Sequence, residues 1–197
     1  MQRTIVFIDD KNVYNDARRA FFDPDYDHFT RGGYDPCQLA QFAITKAETG
    51  RPERELTEVR TYTGRPDATR EPKMAAAHDR QVAAWEHAGA IVISRPLRYL
   101  ESVGRQKGVD VALAIDVVTM AVDGAYDVGV IASTDSDLRP ALEYVVKACP
   151  NVHLEVLAWY TETYRRRLSI ATKNIWCHFL REPDYMFVAD FTDYRVP

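Results

Sequence analysis

Thr4-Ile5-Val6-Phe7-Ile8-Asp9-Asp10 opens the chain after three residues. A short run without polar alternation suits a strand covered on both faces, since a strand with one wet face alternates. The run stops at two acids, and a helix is expected from there to about Ala20. The same grammar recurs along the chain. Leu56–Thr63, Ala90–Ser94, Tyr126–Ala132 and Val152–Trp159 read as strands. Between them, Asp35 as N-cap with Pro36 at the first position starts a helix that should run to about Thr49, with Gly50 and Pro52 ending it. Residues 72–88 read as a long helix closed by Gly89, 109–122 and 136–147 as two more, and 162–172, carrying Arg165, Arg166 and Arg167, as a last one. Val111, Ile115, Val118 and Val122 recur at helical spacing and mark an apolar stripe. Residues 21–34 and 95–107 read as loops, and 173–197 as an aromatic-rich stretch without a clear element.

Strands alternating with helices imply an α/β fold: a Rossmann-like three-layer sandwich around a central, mostly parallel sheet. One domain is expected over about 1–180, with 181–197 as a C-terminal tail. The tail either closes the core through its aromatic residues or makes a homodimer interface. With 197 residues, 46% of them hydrophobic and 27% charged, a single soluble globular domain is expected. The formal net charge of −4 does not announce nucleic-acid binding, so any basic footprint must be local. Cys37, Cys149 and Cys177 form no CxxC pair, which argues against a disulfide framework or a zinc site. No apolar stretch approaches the roughly 18–20 residues that span a bilayer, no leader precedes the first strand, and a cytoplasmic location is expected.

In open parallel sheets ligands bind beyond the carboxyl ends of the strands. The first strand delivers Asp9 there, and the fourth delivers Ser133-Thr134-Asp135-Ser136-Asp137. Asp110 lies in the first turn of a helix that follows Lys107-Gly108-Val109. Three segments can therefore bring Asp9, Asp110, Asp135 and Asp137 together. Carboxylates sharing a pocket either hold protons or bind cations, and oxygen-only donors suit Mg²⁺ or Mn²⁺. Such an ion orients and acidifies a water beside a phosphate. Taken singly, Asp135 or Asp137 is as readily an N-cap, Asp110 a complement to a helix dipole, Asp10 a solvent-facing neighbour of Asp9, and Asp116 an exposed or supporting residue.

Phe7-Ile8-Asp9-Asp10-Lys11-Asn12, Lys107 to Asp116 and Ser133-Thr134-Asp135-Ser136-Asp137-Leu138 resemble, in order and spacing, three motifs of the NYN domain family, a branch of the PIN-like nucleases. Tyr62-Thr63-Gly64-Arg65-Pro66 sits where such domains carry a short turn. The resemblance covers roughly residues 3–160. It implies a PIN-like fold and a metal-dependent ribonuclease leaving a 5′-phosphate and a 3′-hydroxyl. Asp9, Asp110, Asp135 and Asp137 take the acidic metal-site roles, with Asn12 and Ser133 supporting them. Two positions depart from the pattern: Asp10 and Thr134 stand where the family commonly has glycine.

RNA as partner requires cations near the acids. Lys107, Arg65, Lys11 and Arg105 are the candidate substrate-binding residues, with Arg95 and Arg98 in the same expected loops. Tyr14, Tyr34 and Tyr99 are candidates for stacking on bases, each with core packing as the alternative. The five histidines show no ligand spacing. Two other functions compete. One is a non-catalytic RNA- or protein-binding module on the same fold. The other is a phosphotransfer protein built on the Asp9-Asp10 pair, which lacks an acceptor because the third strand ends in Ser94-Arg95-Pro96.

Overall fold

A computed structural model describes residues 1–46, 52–100 and 103–196. Six strands form one parallel sheet: β1 (Gln2–Asp9), β2 (Arg54–Arg65), β3 (Ile91–Pro96), β6 (Val128–Ala132), β7 (His153–Trp159) and β8 (Trp176–Leu180), in the order β3-β2-β1-β6-β7-β8. A separate antiparallel pair, β4 (Arg98–Leu100) and β5 (Val103–Arg105), occupies the stretch expected as a loop. The helices are α1 (Asp10–Phe21), α2 (Pro36–Thr45), α3 (Pro72–His87), α4 (Val109–Val122), α5 (Arg139–Ala148) and α6 (Glu182–Val188). The expected end of the second helix at Thr49 and Gly50 lies outside the described residues. Among the described residues no helix is long and apolar enough to cross a membrane.

The unbroken apolar runs do what their composition demands. Every residue of β6 is buried, as is β1 from Thr4 to Asp9. Each strand feeds both faces: Ile5, Phe7 and Ile131 pack under α4 and α5 with Leu113, Val117 and Leu142, while Val6, Ile8 and Val130 pack under α1 and α2 with Val13, Ala17 and Leu39. Burying side chains of this size contributes roughly 1.5–3 kcal/mol each. The cap at Asp35 forms as expected, its carboxylate accepting from Cys37 N and Gln38 N.

Three expectations change. Residues 162–172 are not helical. Thr161 Oγ1 accepts from Tyr164 N, the Tyr164 hydroxyl donates to Asp16, and Leu168 and Ile170, two apart, are both buried. These contacts hold the segment as irregular chain against the core. Second, α4 turns a different face inward: Val109, Leu113, Val117 and Ala121 are buried, whereas Val111, Ile115 and Val122 are each more than half exposed. Third, the aromatic stretch supplies the sixth strand and α6. Tyr185 is fully buried among Phe21, Phe22 and Trp159, accepts from Gly32 N and donates to Gly33 O. Part of the tail therefore closes the core, while Phe187 stays exposed.

Candidate functional site

The strand order reverses between β1 and β6, the crevice where open α/β sheets bind ligands. Ile8 pairs with Ala132 across this junction, so Asp9 and Ser133 emerge side by side. A basin of about 260 Å³ lies there, lined by Asp9, Lys11, Asn12, Gln106, Asp110 and Asp135 among others. Asp110 reaches it because Gly108 adopts a left-handed turn (φ 80°) that starts α4. A side chain there would strain the turn.

Asp9 caps α1, its Oδ1 accepting from Asn12 N at 3.3 Å, while its Oδ2 accepts from Ser133 Oγ at 3.2 Å. The same hydroxyl oxygen accepts from Asp135 N at 3.1 Å, so Ser133 ties the two acids together. Asp135 caps the short 3₁₀ turn Ser136–Leu138 by accepting from Asp137 N at 3.0 Å. Capping occupies part of each carboxylate's acceptor capacity and leaves the rest for a cation. The Asp110 carboxylate accepts no hydrogen bond among the described residues. Burial pushes Asp9 up to about 6, reinforced by the charges of Asp10 and Asp135 and opposed by its bonds from Asn12 and Ser133. Asp10 rises to about 6 for the same first reason, although Thr63 and Tyr34 donate to it. Asp9, Asp110 and Asp135 face one basin, and a cation there would offset their charges.

The structure brings Asp9, Asp110 and Asp135 to one basin. Asp137 is exposed and lies outside it, in a neighbouring groove with Asp110, Val111 and Ile115. Oxygen-only donors of this kind are those that Mg²⁺ and Mn²⁺ take. Among the described residues, however, no three acids, histidines or cysteines close into a ligand cluster. Ser133 bonds both Asp9 and the Asp135 backbone, and Asn12 lines the basin.

Of the expected cations, Lys11 lines the basin. Lys107 is exposed beside it in sequence. Arg65 is the last residue of β2 and forms a two-pronged ion pair with Asp79. Arg105 ends β5, opposite Arg98 and exposed. Two tyrosines are committed elsewhere: Tyr34 is buried and donates to Asp10, and Tyr99 donates to Glu71 while accepting from Asp67 N. Asp10 is not the solvent-facing neighbour expected. Its carboxylate is held by Thr63 at 2.8 Å and Tyr34 at 3.3 Å. Asp116 braces α4 against β2, accepting from Tyr62 at 2.7 Å and Arg60 at 3.0 Å.

Asp16 was not singled out by its sequence neighbourhood, yet it organises the loop that carries Asp135. Thr134 N donates to Asn12 Oδ1 at 2.9 Å, and the Thr134 hydroxyl donates to Asp16 at 2.6 Å. Tyr164 donates to the other Asp16 oxygen at 2.6 Å. The threonine in place of a common glycine thus anchors the loop through its hydroxyl. The available signal was the four-residue spacing of Asn12 and Asp16, one face of α1. Replacing Asn12 with Ala strands the buried Thr134 amide, at about 1–3 kcal/mol. The urea midpoint of Asn12→Ala should fall with an unchanged slope; an unchanged midpoint would remove this role.

Residues 3–167 match the family model described as NYN domain. Among curated proteins none matches the chain. Among solved structures, a protein of unknown function from Vibrio parahaemolyticus aligns over 88% of this chain and 95% of its own, with a TM-score of 0.55 and 16% identity. At that identity the likeness concerns the fold alone.

Proposed function

The chain belongs to the NYN domain family, a PIN-like family tied to ribonuclease chemistry, and from that premise we propose that it is a metal-dependent endoribonuclease. One observation carries the proposal: Asp9, Asp110 and Asp135, from three separate segments, line a single basin at the point where the strand order reverses. In this reading those three carboxylates would hold Mg²⁺ or Mn²⁺, which when bound would supply an acidified water and charge stabilisation at the phosphate. Ser133 spaces Asp9 from Asp135. Lys11 and Lys107 draw the RNA backbone to an otherwise acidic edge. Asp137 acts through its backbone amide on Asp135 rather than as a first ligand.

The direct test is cleavage of a mixed-sequence single-stranded RNA by the purified protein with Mn²⁺ or Mg²⁺ and with EDTA. Cutting that needs metal supports the proposal. A second reading, a non-catalytic RNA-binding module, is favoured by the unclosed acid cluster. RNA retained but uncut under either metal would favour it. An ion bound only by the folded state also stabilises it. At a hundredfold excess over Kd, Mn²⁺ should raise the thermal midpoint by about 5–10 °C. A midpoint indifferent to Mn²⁺ would exclude a metal site in the basin.

A further inference from the structure

Beside the acidic basin lies a second cavity of about 270 Å³, and the two share Lys11 and Gln106 in their walls. We propose that this cavity receives one nucleobase of the bound RNA strand, adjacent to the phosphate being cut, and that His78, Gln81 and Gln106 read the base's edge. The proposal rests on the nuclease reading of the basin.

Four observations support it. The volume is just under the usual range of ligand pockets, which suits a ligand as small as one base. The lining has the mixed character by which proteins hold unstacked bases, with Tyr14, Phe29 and Tyr194 as aromatic walls and amide side chains among them. Asp10 and Asp190 line it together with Lys11 and Arg195, so the formal charges balance and the lining suits a neutral ring carrying donors and acceptors. Most pointedly, the His78 side chain is only 10% exposed, and its Nε2 is buried with no hydrogen-bond partner among the described residues. Buried polar atoms are seldom left so, and a base entering the cavity would supply a partner once the imidazole turns toward it. Burial lowers the imidazole's pKa against the opposing pull of Asp79, which favours the neutral ring that a base edge can meet as donor or acceptor.

The cavity's outer wall is residues 190–195, beyond the stretch that matches the family model. It is fixed in place: the Arg195 guanidinium lies 3.4 Å from the centre of the Phe29 ring, and Arg80 Nε donates to the Tyr194 carbonyl at 2.8 Å. Gly64 contributes too, since a Cβ there would stand 2.6 Å from the Gln106 side chain. The base's edge is thereby read by His78, Gln81 and Gln106 in a cavity that this chain's own C-terminal segment closes.

The test measures anisotropy of labelled A, C, G and U RNA hexamers binding to the Asp135→Asn protein with Mg²⁺, so that cutting does not consume the probe. One base should be preferred over the poorest by about tenfold or more. Adding Thr192→Trp, which fills the cavity from an exposed position, should bring the four affinities together. His78→Ala should flatten the preference by the same route and replaces the tryptophan variant if circular dichroism shows that the latter fails to fold. Equal affinities in the parent protein, a preference surviving both changes, or no hexamer binding would each overturn the proposal. Metal-dependent cleavage by the unaltered protein is read separately. A nuclease without base preference loses only the pocket, and a base-selective binder that never cuts loses only the nuclease.

Discussion

Asp135→Asn should lower metal-dependent RNA cleavage by more than about 100-fold while leaving the fold intact. Loss of a group that merely orients a metal ligand typically costs 10–100-fold, and loss of the ligand's charge should exceed that. The substitution is chosen for what it keeps. Asparagine retains an oxygen that can accept from Asp137 N, so the cap on the 3₁₀ turn survives. What disappears is one negative charge at a basin where Asp9 is already held near 6 by burial and by its acidic neighbours. The variant should therefore melt at or slightly above the metal-free wild-type midpoint and lose the midpoint's response to Mn²⁺. Cleavage within tenfold of wild type would end the assignment of Asp135 as a ligand. Ser133→Ala, which removes the bridge between Asp9 and Asp135, should show a smaller loss, about 10–100-fold.

The second large effect lies far from the chemistry. Arg54→Ala should cost about 3–5 kcal/mol of stability, because it leaves a buried carboxylate without its main counter-charge. Glu155 is completely buried, and Arg54 nearly so. The two guanidinium nitrogens donate to its two oxygens at 2.8 and 2.7 Å, and His178 Nε2 approaches at 2.6 Å and His153 Nε2 at 3.1 Å. The pair links the start of β2 to β7 beneath the two central strands. Burial by itself would raise the Glu155 pKa, but the bonds from His153, His178 and Arg54 outweigh it and hold the carboxyl well below its ordinary 4.5. A depressed carboxyl pKa stabilises the fold fully above the unfolded value and gives that stability up as pH falls below it. Acid unfolding should accordingly set in below about pH 4.5, and Arg54→Ala should move it to higher pH. Urea titrations at neutral pH measure the first effect. A loss under about 1 kcal/mol would show the pair to be worth no more than an exposed ion pair. Replacing both partners by methionine should recover most of the loss.

Much of this molecule is written locally. A strand covered on both faces needs an unbroken apolar run, so β1, β6 and β7 stand out in the sequence, and their alternation with capped helices implies a parallel sheet. Its carboxyl edge then carries whatever follows each run, which is why Asp9 and Asp135 could be placed together without coordinates. Asp110 followed from a glycine turn opening a helix. Periodicity alone went astray where more than one answer fits the pattern. Helix α4 is apolar nearly all round, so Val111, Ile115 and Val122 looked as buried as Val109, Leu113 and Val117, and only packing against the sheet chose between the two faces. Residues 162–172 have helical composition, but Tyr164 anchors to Asp16, 148 positions away, and the segment forms no helix.

The sequence by itself determined the alternating α/β order, the parallel sheet and the edge to which the acids would be delivered, because these depend on neighbours within a few residues. Tertiary structure alone decided which acids share the basin, leaving Asp137 outside it, and made Asp10 and Thr134 anchoring groups. It also committed Arg65 to Asp79, joined Arg54 to Glu155, and folded residues 190–195 over the cavity beside Asp10. Each of these depends on where side chains distant in sequence meet, and no local pattern records that distance.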